Sequence, residues 1–422
     1  MAYIYIFTFH LVLFIFLQPN SALETLILPL KTQLMPSPNN ISFHRNVSLT
    51  VSLTVGTPPQ KVVMVLDTGS ELSWLRCNNP SFPNSLPTFN PRHSSSYTPM
   101  LCSSPACSYQ VRGFSVPVWC DPNKLCHTTV SYADSSFSEG NLAYETFYIG
   151  SSSIPGTIFG CMSTSFSSSS EEDPKSTGLM GMNRGSLSFV SQMGFPKFSY
   201  CISEGDSSGV LLLGNTSSPW VKPLSYTPLL QISSPLPYFD RAAYTVQLEG
   251  IMVSKKVLTL PKYALVPDHT GAGQTMIDSG TQFTFLLGPV YDALRNEFIS
   301  QTRGILQVLD DTDFIFQGAM DLCYRVPPTR TGFSDLPTVS LMFSGAEIVV
   351  TSDQLLYQVA GEMRGSDSVY CFTFGNSELL GIEAFVIGHH HQQNVWVEFD
   401  LQNSRIGFAP IQCDVASLRL GV

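Results

Sequence analysis

Apolar residues in this chain fall mostly into short runs. VSLTVGT (51–57), KVVMVL (61–66), GVLLLG (209–214) and AEIVV (346–350) are each bounded by Gly, Pro, Ser or Asn. Runs of that length with such borders predict strands, and their number predicts an all-β (mainly β) architecture. One segment breaks the pattern. In GPVYDALRNEFISQ (288–301), Val290, Leu294 and Phe298 recur every four residues. That period predicts a helix whose apolar stripe packs on the core. The stretch 77–107 is loop-rich, and TSFSSSSEEDPKS (164–176) is a polar, low-complexity loop.

Two of the apolar runs end in the same unusual way. Met64-Val65-Leu66 leads into Asp67-Thr68-Gly69-Ser70, and Thr275-Met276-Ile277 leads into Asp278-Ser279-Gly280-Thr281. Each half also carries a later apolar pair followed by Gly: Leu179-Met180-Gly181 and Val386-Ile387-Gly388. A repeated motif, gap and second motif predict a duplicated unit with two-fold pseudosymmetry. A single Asp-x-Gly is most simply a polar turn between strands. Two copies in matching contexts point to one site shared by two halves.

The residue types fit a paired-carboxylate site. Two carboxylates face to face cannot both ionise easily, because like charges raise one of the two pKa values. They share a proton, so one is an acid while the other is a base. Water between them can lose a proton to one as the other protonates a carbonyl. The hydroxyls of Thr68 and Ser279 can lock the loops across the symmetry axis, and those of Ser70 and Thr281 can bond the outer carboxylate oxygens. Gly69 and Gly280 permit the tight turns that bring backbone N–H groups to the carboxylates. Buried carboxylates require such partners.

Composition narrows the setting. Charged residues make up only 13% of the chain and the net charge is −10, with a pI near 5.2. No basic stripe is present to neutralise phosphates, which argues against nucleic acid as a partner. The apolar run 3–17 precedes Asn20-Ser21-Ala22. It is short for a membrane span and predicts a secretory signal over 1–22, with no stable membrane span after its removal. Ten cysteines allow five disulfides in an oxidising compartment, and sequons at Asn40, Asn46 and Asn215 suit the same route. The cysteine spacings lack the paired CxxC pattern of zinc sites. His389-His390-His391 follows the second apolar-apolar-Gly. These histidines read as polar residues leaving a strand, since alternating faces keep them from converging on a metal. No metal and no cofactor is expected.

Together these motifs resemble the pepsin-like aspartic proteases, in particular the plant nepenthesin-type branch. The resemblance runs from about residue 48 to 413. It rests on VGTPPQ, DTGSELSW, VSYADSSFSEG, FGC at Cys161, GLMGMNRGSLSFVSQ, FSYC at Cys201, IDSGTQFTFL and QQNVWVEFDLQNSRIGFAP. SPLPYFDRAAYTVQLEG and VPDHTGAGQT look closest to the subgroup named for promotion of cell survival. The resemblance implies a bilobal fold, two pseudo-symmetric β lobes around a central cleft, with an N-terminal lobe over 43–224 and a C-terminal lobe over 225–422. It implies an aspartic endopeptidase with Asp67 and Asp278 as the catalytic pair, working at acidic pH on an extended polypeptide. Tyr132 matches the tyrosine of a flap that closes on substrate, and Trp74 the tryptophan that supports it. It also implies a Cys323–Cys371 bridge and a monomer of the secretory pathway. A role in plant cell survival or development follows from the subgroup alone.

Three features depart from that family's pattern. The flap usually carries glycine, whereas here Tyr132-Ala133-Asp134-Ser135-Ser136 has none at the tip. Ten cysteines stand where the branch often has twelve. Residues 23–42 form a leader that is short for an inhibitory prosegment. The competing reading is a binding or inhibitor protein on the same fold, and the intact aspartate motifs argue against it.

Overall fold

The computed structural model describes residues 25–34, 47–78, 86–108, 117–133, 135–166, 175–204, 208–215, 220–311 and 313–422. The segment expected as a signal, 1–22, and the sequons at Asn40 and Asn46 lie outside the described residues. Among those described, no helix is long and apolar enough to cross a membrane.

The chain forms two β lobes built to the same plan. In the first, the strand Gln60–Asp67 lies parallel to Gly178–Gly181, with Asp67 opposite Gly181. In the second, Gln274–Ile277 lies parallel to Ala384–Ile387, with Ile277 opposite Ile387. Each later strand also has an antiparallel neighbour from just beyond the aspartate: Trp74–Arg76 in one lobe and Thr284–Leu286 in the other. The apolar-apolar-Gly segments are thus the partners of the aspartate strands, and the aspartates stand where those strands run out.

One fifteen-stranded sheet extends from the first lobe into the second. Its crossing point pairs Lys197–Cys201 with Val395–Asp400. Phe198 and Phe399, opposite each other in that register, stack with ring centroids 4.5 Å apart. A stacked pair of this kind adds about 0.5–1.5 kcal/mol beyond its buried area, so it joins the lobes firmly. The expected division at 224/225 falls just before Ser225–Pro228, a strand that pairs with Arg405–Pro410 of the second lobe.

Of the segment read as a short leader, 23–42, the structure describes residues 25–34. Leu26–Leu34 is a strand inserted between Gly209–Leu213 and Val47–Val55. Leu26, Leu28 and Leu30 are all buried, the alternation a sheet with one covered face requires. Pro29 and the polar residues further on hide that alternation in the sequence. The expected helix is present as Gly288–Thr302, with Val290, Leu294 and Phe298 buried and Tyr291 beside them. Disulfides join Cys77 to Cys161, Cys102 to Cys120, Cys107 to Cys126, Cys201 to Cys413 and Cys323 to Cys371. Three of them staple the loop-rich stretch of the first lobe.

Candidate active site

Asp67 and Asp278 meet at the floor of a cleft of about 1220 Å³ between the lobes. Each carboxylate is held in the same way. Asp67 Oδ1 accepts the Gly69 N–H at 2.8 Å and Oδ2 the Ser70 hydroxyl at 2.5 Å. Asp278 Oδ1 accepts the Gly280 N–H at 2.8 Å and Oδ2 the Thr281 hydroxyl at 2.5 Å. Charge-assisted bonds of this kind fix a carboxylate's rotamer and offset its removal from water.

The two loops are also tied to each other. Thr68 N–H donates to Ser279 Oγ at 3.0 Å, and Ser279 N–H donates to Thr68 Oγ1 at 2.9 Å. The same hydroxyls pass their hydrogens on, Thr68 to the Ile277 carbonyl at 3.2 Å and Ser279 to the Leu66 carbonyl at 2.9 Å. Both N–H groups and both hydroxyls of the pair are used, and both side chains are buried. Neither lobe could build this arrangement alone.

The glycines do more than permit a turn. A Cβ built on Gly69 would stand 2.8 Å from Asp278 Oδ1, and one on Gly280 would overlap Asp67 Oδ1. Each glycine therefore leaves room for the opposing lobe's carboxylate. Asp67 has a raised pKa. Burial is the largest cause and the adjacent Asp278 charge the next. The ordinary preference of a carboxyl for ionisation is thus reversed toward holding a proton.

Above the pair, Trp74 Nε1–H donates to Tyr132 Oη at 2.6 Å. Trp74 is buried and Tyr132 half-buried at the end of the hairpin of Cys126–Ser131 and Phe137–Ile149. At the tip, Tyr132 N–H donates to the Ser136 carbonyl and Ser135 N–H to the Tyr132 carbonyl. Ser135 sits at φ +66, the left-handed region that glycine occupies without strain. The hairpin closes without glycine, and Ser135, not Ala133, carries the cost.

Several residues of the site were not legible beforehand. Tyr200 reaches Gln392 with its hydroxyl and lies beneath the pair. Gln392 in turn donates to the Asp278 carbonyl at 3.3 Å and the Ile387 carbonyl at 2.8 Å. The buried Glu71 accepts the Leu187 N–H at 2.9 Å. The histidines were expected as polar residues at a strand end, and this is corrected. They form the helical turn His389–Gln392, with His389 and His391 buried under the Asp278 loop. The strand Ala384–Ile387 ends inside the lobe, so the chain leaving it turns into the interior. Asn215 is exposed at the end of Gly209–Leu213.

Comparison with known proteins agrees with this geometry. Residues 49–215 match the family described as xylanase inhibitor N-terminal, and 243–410 match xylanase inhibitor C-terminal. The chain is 63% identical over 406 residues to aspartic proteinase PCS1 of Arabidopsis thaliana, covering 94% of this chain and 90% of that one. It is 34% identical over 368 residues to aspartic proteinase nepenthesin-1 of Nepenthes gracilis, covering 86% and 77%. Among solved structures it superposes on edgp with a TM-score of 0.69 at 19% identity, covering 93% of this chain and 96% of that one. Basic 7S globulin from soybean superposes with a TM-score of 0.66 at 19% identity, covering 92% and 96%. The last two likenesses speak to the fold alone. Fold, motifs and relatives agree: the chain belongs to the pepsin-like family of aspartic proteases, in its nepenthesin-type branch.

Proposed function

We propose that this chain is a working aspartic endopeptidase that cuts extended polypeptides, with Asp67 and Asp278 as its catalytic pair. The observation that carries the reading is the pair itself, each carboxylate aimed by a backbone N–H and a hydroxyl, and both joined to one buried cross-lobe bond network. A substrate chain lies in the cleft under Tyr132. Water held between the carboxyls loses a proton to one as it attacks the scissile carbonyl, while the other protonates the carbonyl oxygen. Burial and the closeness of the two carboxyls keep one proton on the pair. The amine then leaves with a proton from the pair, which returns to its shared-proton state. Activity rises on acidification, as the pair passes from doubly to singly ionised.

Five disulfides suit an oxidising compartment, so a secreted, vacuolar or endoplasmic-reticulum protein acting as a monomer fits. A part in plant cell survival or development rests on the subgroup resemblance. The second reading, a binding or inhibitor protein, draws on the description carried by the matched family models, and the intact pair weighs against it. The deciding experiment is digestion of an unfolded protein across pH 3 to 7, with and without a pepstatin-type inhibitor, beside Asp67→Asn. Cleavage that grows with acidity and disappears in both controls supports the protease. A folded wild-type chain that cuts nothing favours the binder.

A further inference from the structure

The turn His389–Gln392 grips the underside of the loop that carries Asp278. His389 Nδ1 lies 3.1 Å from the Ser279 carbonyl. A carbonyl only accepts, so Nδ1 bears the hydrogen. From the same turn, the backbone N–H groups of His389 and His390 donate to the carbonyls of Thr281 and Gln282, each at 2.8 Å. The other ring nitrogen of His389, Nε2, is buried and has no hydrogen-bond partner among the described residues. A second proton there would find no acceptor within hydrogen-bond distance among them.

His391 is held in a single neutral tautomer. Its Nε2 is 2.8 Å from Thr373 Oγ1, and that hydroxyl spends its hydrogen on the Gln354 carbonyl at 2.8 Å. Nε2 must therefore be the donor. Its Nδ1 is 2.7 Å from Thr284 Oγ1, which accepts the Gly388 N–H at 3.2 Å and keeps its own hydrogen for Nδ1. Charging His391 would turn Nδ1 into a donor and take from the Thr284 hydroxyl hydrogen the acceptor it has there. His390 donates from Nε2 to the Gln354 carbonyl at 2.9 Å. Phe283 and Tyr357 cover its ring, and Phe374 lies against that of His391.

We propose that these three histidines hold the Asp278 loop only as neutral imidazoles, with His389 as a positioning residue for the reaction, so that their protonation sets the acid limit of activity. The proposal rests on the protease reading above. Burial pulls His389 down to about 3 and His390 to about 4, and places His391 well below the ordinary range; the neighbouring imidazoles add to this for His389 and His391. Among charged or titratable groups on the elements around the turn, Asp278 belongs to the gripped loop and the Tyr357 phenol faces His390. Glu347 and Asp353 are exposed. Glu398 pairs with Lys197 and Asp400 with Arg405. The sign follows from depressed folded-state values. The contribution is complete above the ordinary histidine value of about 6.5 and is lost as pH falls toward about 4 and then 3.

His389→Asn keeps an N–H for the Ser279 carbonyl but cannot become charged. The measurement is kcat against pH, from about pH 2.5 to 6.5, for wild type and variant. The expected result is an acid limb shifted down by about half a pH unit or more, since one proton no longer opposes the folded loop. A drop of equal size at every pH, with the limb unmoved, means packing alone and overturns the proposal. Because the variant could fold poorly, the wild-type chain is also read directly by 15N NMR of its eight histidines. At about pH 5, three rings are expected to stay neutral. Charging of all eight in the folded protein at that pH sinks the proposal. Absence of cleavage by wild type would instead count against the protease reading itself, whatever the rings do.

Discussion

Gly280 of the second lobe faces the Asp67 carboxylate of the first, with no room between them for a methyl group. The neighbouring side of the site repeats the relation, Gly69 against Asp278. These contacts set how closely the carboxyls approach. Gly280→Ala is expected to push the lobes or the Asp67 side chain apart and to lower kcat by about 10²-fold or more, the loss typical of a misplacement near 1 Å. Steady-state kinetics beside circular dichroism checks this. A folded alanine variant with near-normal kcat would contradict it.

Asp67→Asn separates catalysis from stability. It removes the shared proton, so kcat is expected to fall by about 10³-fold or more. Stability should move the other way at neutral pH. The raised Asp67 value means its folded-state contribution is present below the ordinary carboxylate pKa and is lost as pH rises through the folded value. Near pH 7 the wild-type chain must hold a buried charge that the amide does not. The variant should be more stable there by about 1–3 kcal/mol, with the gap closing near pH 4. Denaturant melts at the two pH values test the sign.

Trp74→Phe keeps an aromatic ring in place but removes the N–H that Tyr132 accepts. A net hydrogen bond of about 1 kcal/mol corresponds to several-fold in kcat/KM if closure of the hairpin contributes to the transition state. Tyr132→Phe should lose a similar amount, and the double variant little more, because both remove the same bond. Fully additive losses would show that the two residues act separately.

Ser135→Gly releases the only left-handed residue described in the hairpin tip. The cost removed is about 1 kcal/mol. The glycine variant should close more readily and raise kcat/KM a few-fold, while Ser135→Val should lower it. Equal activity across serine, glycine and valine would mean that the tip conformation does not limit turnover.

The strand Leu26–Leu34 gives a prediction for truncation. Removing it exposes the edges of Val47–Val55 and Gly209–Leu213 and uncovers the sites of Leu26, Leu28 and Leu30. Burial at roughly 1.5–3 kcal/mol per leucine makes the loss about 5 kcal/mol or more. A chain beginning after residue 34 should melt far lower or aggregate. A chain beginning at Thr25 should melt like the longer one. A stable, active protein lacking 1–42 would contradict this and support the leader reading.

The sequence by itself determined the paired motif, and with it the identity of both aspartates and the hydroxyls beside them. It could do so because the chain is duplicated, and a polar tetrad ending an aliphatic strand is conspicuous twice. Local period was also enough for the helix at Gly288 and the short strands. What the sequence could not decide depends on which distant segments meet. Leu26–Leu34 is a strand because two partners flank it, not because of its own pattern. Gly280 must be small because Asp67, 213 residues away (280 − 67), fills the space beside it. Neighbouring histidines look like a polar surface in one dimension. They become a neutral buried support for the Asp278 loop because Thr284, Thr373 and the Ser279 carbonyl surround them in three.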